Sequence, residues 1–192
     1  MSNSRGTLFL VVGPSGSGKD SLIDGAKNKL NQDSNFVFPR RFITRPENAG
    51  GEDHVPVTVE LFETMKQRGK MILDWEAHNL SYGISETVGK YLSLGRNVVI
   101  NVSRTVVETA VKDLAPVKIL YVTVDENILR ERLTSRGREN AADIERRIQR
   151  AGAYVITGDH VITIDNSNAL EMSISNFVSA LTNSTTSQKN TV

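Results

Sequence analysis

Five apolar residues, Leu8–Val12, run directly into GPSGSGKDS, Gly13–Ser21, and then into Leu22, Ile23, Ala26 and Leu30 at helical spacing. No other stretch restricts the fold so strongly. The apolar run reads as a central parallel strand, covered on both faces. Glycines let the backbone after it wrap until successive N–H groups converge on one anion. The following helix adds the positive end of its dipole. Strand, G-x-x-x-x-G-K loop and helix together predict a cradle for the phosphates of a nucleoside triphosphate, with Lys19 placed for the β- and γ-phosphates. A glycine-rich turn with a chance lysine would not need both flanking elements.

The cradle residues are Gly13, Pro14, Ser15, Gly16, Ser17, Gly18, Lys19, Asp20 and Ser21. One of them departs from the motif: Asp20 stands where a Ser or Thr hydroxyl is expected. An acid in the first helical turn complements the helix dipole. A carboxylate is also a hard oxygen ligand, able to reach Mg²⁺ directly or through water. Ser21 does not replace the missing hydroxyl, because one helical residue turns the side chain by about 100°.

The apolar, β-branched runs Asn97–Val102, Val117–Val124 and His160–Ile164 predict further strands. Helical patterns cover Val59–Arg68, Asn127–Ser135, Ala142–Ala153 and Ala169–Leu181. The alternation implies an α/β sandwich around a mostly parallel, five-stranded sheet. Residues 36–84 are rich in Gly, Pro, Arg and acids, and read as an insertion that binds the second substrate. Residues 130–150 carry an arginine-rich lid, and 183–192 (NSTTSQKNTV) read as a disordered tail after one domain over 1–182. A net charge of +1 argues against a general nucleic-acid or membrane binder, and no apolar run approaches the length of a membrane span. With no cysteine, disulfides and thiolate metal sites are excluded and a cytoplasmic location is the expectation. Arginines gather in two groups, 40–45 and 130–150, which suggests compact polyanionic ligands.

Taken together, these motifs resemble the guanylate kinase-like branch of the nucleoside monophosphate kinases over nearly the whole chain. Gly13–Leu22 is similar to that family's GPSGxGKS loop, and Arg41–Pro46 (RFITRP) to its acceptor-phosphate segment, with Thr44 and Arg45 retained. Trp75 and Tyr82-Gly83 match its E-W…Y-G stretch, and Arg132, Arg136 and Arg147 its lid arginines. The resemblance implies ATP as donor, with Asp165-Asn166 in the segment that touches adenine.

The departures bear on the acceptor. A second acceptor-side arginine is missing, because Thr44-Arg45-Pro46 runs into Glu47-Asn48. His54 replaces the phosphate-binding tyrosine, Asp74 replaces the guanine-gripping glutamate, and Ile84 replaces a serine. A site that has lost its hydrogen bonds to a base should no longer select that base. GPSGSGKDSL, Arg41–Arg45, Asn101-Val102-Ser103-Arg104 and Arg138-Glu139-Asn140 resemble more closely the ribose 1,5-bisphosphate phosphokinases of bacterial phosphonate degradation, which make 5-phosphoribosyl 1-diphosphate. That implies a sugar bisphosphate as substrate. Arg41 and Arg45 would then hold phosphate with bidentate forks. Tyr82, Asn101, Ser103 and Arg104 are further contact candidates; His54 is one by position, and Asp74 either binds ribose hydroxyls or is structural.

An ionised phosphate nucleophile needs no general base, so catalysis reduces to alignment and charge neutralisation. Lys19, Arg136 and Arg147 are the catalytic candidates, with Arg132 at the nucleotide. Other lid arginines alternate with acids and read as surface ion pairs. His78 and His160 read as structural or surface residues, and Trp75 as core. A nucleoside monophosphate kinase and a non-catalytic interaction module are the alternatives. The oligomeric state, a homodimer included, is left open.

Overall fold

The computed structural model describes residues 5–46, 52–137, 140–152 and 155–186. Five strands form one parallel sheet: β1 (Leu8–Val12), β2 (Phe36–Val37), β7 (Asn97–Asn101), β8 (Val117–Thr123) and β9 (Val161–Asp165), in the order β2-β7-β1-β8-β9. Every residue of β1 is buried, as its unbroken apolar run requires of a strand in the middle of such a sheet. Phe36–Val37, expected within the insertion, pairs in parallel with Asn97–Val98 and so belongs to the core sheet. Two residues carry too little periodicity to be read as a strand on their own.

The described residues fall into two compact units, one within Met1–Leu10 and Asp33–Val117, the other within Val11–Gln32 and Lys118–Val192. The first unit carries a four-stranded mixed sheet, ordered β4-β3-β6-β5, from β3 (Arg41–Ile43), β4 (His54–Pro56), β5 (Met71–Ala77) and β6 (Leu80–Ser85). Strands β5 and β6 form a hairpin closed by His78 and Asn79, both in the left-handed region as a tight two-residue turn demands. Helix α2 (Val59–Gln67) is capped by the Thr58 hydroxyl, which accepts from the Leu61 amide. Two short helices, α3 (Thr87–Ser93) and α4 (Val107–Asp113), escape the sequence reading because seven residues span barely two turns.

In the second unit α1 (Lys19–Lys29) packs beside α7 (Leu170–Thr186), with Lys29 paired to Glu171 at 2.8 Å. Helices α5 (Glu126–Ser135) and α6 (Ala141–Gly152) form a hairpin around Leu129, Leu133, Ile144 and Ile148. The Asp125 carboxylate caps α5 by accepting from Asn127 and Ile128 amides. The start of the expected tail is helical: α7 continues to Thr186, and Thr182 and Ser184 hydroxyls bond back to carbonyls of its preceding turn. Polar composition suggested disorder there, but a helix already anchored by packing extends at little nucleation cost. Residues 187–192 lie outside the described residues, as do Arg138 and Glu139. No helix among the described residues is long and apolar enough to cross a membrane.

Candidate active site

The phosphate loop follows β1 directly, and its glycines are there for space. Gly13, Gly16 and Gly18 all have φ between 86° and 153°. A Cβ on Gly18 would sit 2.3 Å from Asn166 Nδ2, and one on Gly13 would sit 2.3 Å from the Val122 carbonyl oxygen. Gly18 ends the loop in a left-handed conformation and Lys19 begins α1, so the first amides of that helix have no side-chain cap. These N–H groups and the dipole behind them define an anion site.

Lys19 Nζ donates to the carbonyls of Gly13 at 2.9 Å and Pro14 at 2.8 Å, which holds the ammonium over the loop. The side-chain amide of Asn166, at the end of β9, donates to the Ser17 carbonyl at 2.7 Å. Arg132 Nη2 donates to the Asn166 carbonyl at 2.9 Å, and Arg147 Nη1 donates to the Ser15 hydroxyl at 3.0 Å. Both α5 and α6 therefore send an arginine to the loop or its support. Ser17 Oγ, Arg132 Nη1 and Asn166 Oδ1 are buried without a hydrogen-bond partner, an unusual concentration of polar atoms around one loop. A nucleoside triphosphate fits this donor set. Asp20 and Ser21 are exposed on the first turn of α1. Among the described residues no group of three or more His, Cys, Asp or Glu could hold a metal. A Mg²⁺ site here would combine Asp20 with oxygens of the nucleotide, the usual mixed coordination of this ion.

Arg136, four residues after Arg132, is the exposed C-cap of α5 and keeps right-handed helical dihedrals. Gly137 follows with φ 60°, a left-handed helix end. Arg130 pairs with Glu145 and Glu126 at 3.0 and 3.2 Å, and Arg146 pairs with Asp143, so these two hold the hairpin's surface. The hydrogen bonds that Arg130 donates, to Glu145 first and then to Glu126, raise its pKa.

In the other unit, side-chain alternation sorts the acceptor candidates onto two faces. Register places Arg41 opposite His54, Ile43 opposite Tyr82 and Tyr82 opposite Trp75, so all five share one face. The Arg41 side chain is buried. Its guanidinium lies 5.6 Å from the Tyr82 ring centroid, donates to the Asn101 carbonyl at 3.1 Å and pairs with the Glu52 carboxylate. Tyr82 stacks on Trp75 with centroids 5.3 Å apart and planes within 6°. His54, also buried, has Nδ1 2.9 Å from the Glu52 carbonyl oxygen and Nε2 3.1 Å from that of Arg45. It thus clips both ends of the Arg45–Glu52 segment. Thr44 is tied to Ser81 through its amide (3.1 Å) and its hydroxyl, which accepts from the Ser81 amide at 2.8 Å. Ser103 caps a short 3-10 turn, Arg104–Val106, just past the carboxyl end of β7.

Asp74 does not join this cluster. Adjacent to Trp75 and opposite Gly83, it falls on the other face, where Lys66 of α2 pairs with it at 2.5 Å. The hydrogen bond that Lys66 donates to Asp74 raises the Lys66 pKa. Of the two readings of Asp74, ribose contact or structural residue, the Lys66 pair and the strand register favour the structural one. Glu52 and the Asn166–Ser17 bond carried no motif and were missed. Trp75 is core, as expected, and Ile84 is fully buried.

The guanylate kinase family pattern matches residues 5–184. A ribose 1,5-bisphosphate phosphokinase PhnN of Psychromonas ingrahamii is 44% identical over 94% of this chain and 92% of its own. A bifunctional ribose 1,5-bisphosphokinase-thymidine phosphorylase of Cupriavidus pinatubonensis is 40% identical over 93% of this chain, which spans 29% of that longer protein. A guanylate kinase from Anaplasma phagocytophilum has the same fold, with a TM-score of 0.67 at 18% identity, covering 95% of this chain and 87% of that one. The chain belongs to the guanylate kinase family, in the branch of the ribose 1,5-bisphosphate phosphokinases.

Proposed function

We propose that the protein transfers the γ-phosphoryl group of ATP to ribose 1,5-bisphosphate, giving 5-phospho-α-D-ribose 1-diphosphate and ADP. The observation that carries this reading is Arg41: a buried, pre-oriented guanidinium stands among Tyr82, His54 and the end of β7, beside a fully buried Ile84 that offers no hydrogen bond to a base. A phosphate-rich, base-free acceptor suits such a pocket, and relatives covering nearly the whole chain carry that activity in their names. Arg41 and Arg45 bind the acceptor, with Asn101, Ser103 and Arg104 as further contacts. The phosphate loop, Arg132 and Asn166 hold ATP, and the two units act as one kinase domain.

In the step, an oxygen of the acceptor's 1-phosphate attacks the γ-phosphorus. The bond from that phosphorus to the β–γ bridging oxygen breaks, and ADP leaves with its electron pair. No proton has to be removed, because the attacking oxygen is already ionised. Lys19 and Arg147 offset the charge that gathers between two polyanions, and Arg136 joins them on the exposed lid edge. Asp20 would be the protein's ligand for a nucleotide-bound Mg²⁺, which would supply further charge neutralisation.

Phosphorus NMR of the protein with Mg-ATP and each acceptor tests the reading. A new diphosphate doublet pair from ribose 1,5-bisphosphate supports it. Turnover of guanosine monophosphate alone overturns it, and silence with every acceptor points to a non-catalytic module.

A further inference from the structure

The Arg41 guanidinium meets neighbours of different kinds, among them the neutral Asn101 carbonyl at the end of β7, the Tyr82 ring on β6 and the carboxylate of Glu52. The first two are built into strands. Glu52 belongs to no strand; it lies in the segment between β3 and β4, two residues before His54. Its side chain is 18% exposed against 9% for that of Arg41. The arginine is therefore the fixed member of the pair and the glutamate the more accessible one. Arginine's planar fork accepts a carboxylate and a phosphate in the same bidentate geometry, and a phosphate monoester carries about twice the charge at neutral pH.

We propose that Glu52 is a specificity determinant for the acceptor: its carboxylate occupies Arg41 as a built-in competitor, which only a dianionic phosphate displaces. The inference rests on the reading that Arg41 faces the acceptor. Ligands without a phosphate for Arg41 must leave the Arg41–Glu52 pair intact, and so do not open the pocket. Selectivity of this kind is set by what a wrong ligand fails to remove as much as by what the right one gains. The competitor also keeps a buried guanidinium paired between turnovers, where an unpaired buried charge would be costly. His54 holds the Glu52 carbonyl at 2.9 Å, so the backbone beside the carboxylate is tied at this bond and, through the side chain, at Arg41; release of the carboxylate removes one of these ties.

Steady-state kinetics of the full chain and of Glu52→Gln test this, with ribose 5-phosphate as a non-reacting inhibitor. The expected result is an acceptor KM about tenfold lower in the variant, equally tighter inhibition by ribose 5-phosphate, and an unchanged KM for ATP. In an Arg41→Ala background the same change should have no effect on acceptor KM, which separates competition from general loosening. An acceptor KM that is unchanged or higher in Glu52→Gln overturns the proposal while leaving the kinase reading intact. Absence of ribose 1,5-bisphosphate turnover in the unmodified protein sinks both. Hydrogen exchange on the unmodified protein is the check if the variant does not fold. Amides of Glu52–His54 should exchange faster in saturating ribose 5-phosphate, and slower or unchanged exchange overturns the proposal.

Discussion

The side-chain amide of Asn166 donates to the main-chain carbonyl of Ser17 at 2.7 Å, while the carbonyl of Asn166 accepts from Arg132 at 2.9 Å. One residue at the end of β9 thus supports the phosphate loop and fixes an arginine of α5. Asn166→Ala leaves a buried loop carbonyl without its donor, a loss of about 1–3 kcal/mol. Thermal denaturation should show that loss. ATP KM should rise, whereas the ratio of activities with ATP and GTP should stay constant if the side chain supports the loop and does not read the base.

Lys19 is bound by its own loop at Gly13 and Pro14, so its ammonium is positioned before any phosphate arrives. Lys19→Ala should lower kcat by about 10²–10³-fold, the usual cost of one aimed charge. Pre-steady-state quench of the phosphoryl-transfer step is the measurement, and circular dichroism should show the fold unchanged.

Arg147 touches the loop at Ser15, whereas Arg45 belongs to the segment clipped by His54. The two should separate kinetically. Arg147→Ala should lower kcat with acceptor KM nearly constant; Arg45→Ala should raise acceptor KM with ATP KM nearly constant. Identical profiles for both would contradict the assignment.

Asp74 faces Lys66, away from Arg41, so Asp74→Asn should leave acceptor KM within about twofold, as expected of a surface pair. The pair has a pH signature. The Lys66 pKa is raised in the folded protein by its Asp74 hydrogen bond, so its stabilisation is complete below the unfolded value and fades as pH rises through the folded value. Denaturant midpoints of the protein and of Lys66→Met should therefore converge only in strongly alkaline buffer, above the ordinary lysine value of 10.5.

Asp20 is exposed in the first turn of α1, able to meet a nucleotide-bound cation. Chelation with EDTA should abolish turnover. Asp20→Ala should shift the Mg²⁺ concentration for half-maximal activity upward by about tenfold, and an unshifted titration would leave Asp20 with the helix dipole alone.

The phosphate loop was legible because its chemistry is local. Glycine spacing, one lysine, a preceding apolar strand and a following helix lie within about twenty consecutive residues, and each follows from backbone sterics. Four of the five parallel strands were legible for a similar reason: buried strands need continuous apolar runs. Phe36–Val37 was not, since two residues become a strand only by pairing with Asn97–Val98. The extension of α7 through Asn183–Thr186 was hidden by a composition that suits a tail equally well.

What the sequence determined by itself is the local architecture around the loop: an apolar strand, glycines from Gly13 to Gly18 and a helix that begins at Lys19, with arginines further along the chain. The partners of Arg41 were decided only by tertiary structure. Glu52, Asn101 and Tyr82 lie eleven, sixty and forty-one positions from it in the chain, and no spacing rule connects them. Sheet register and strand alternation put Tyr82 on the face of Arg41 and send Asp74 to the other, while Glu52 and Asn101 reach the guanidinium from outside that sheet. Local motifs arise where the backbone itself does the binding; a pocket of side chains exists only once separate strands have paired.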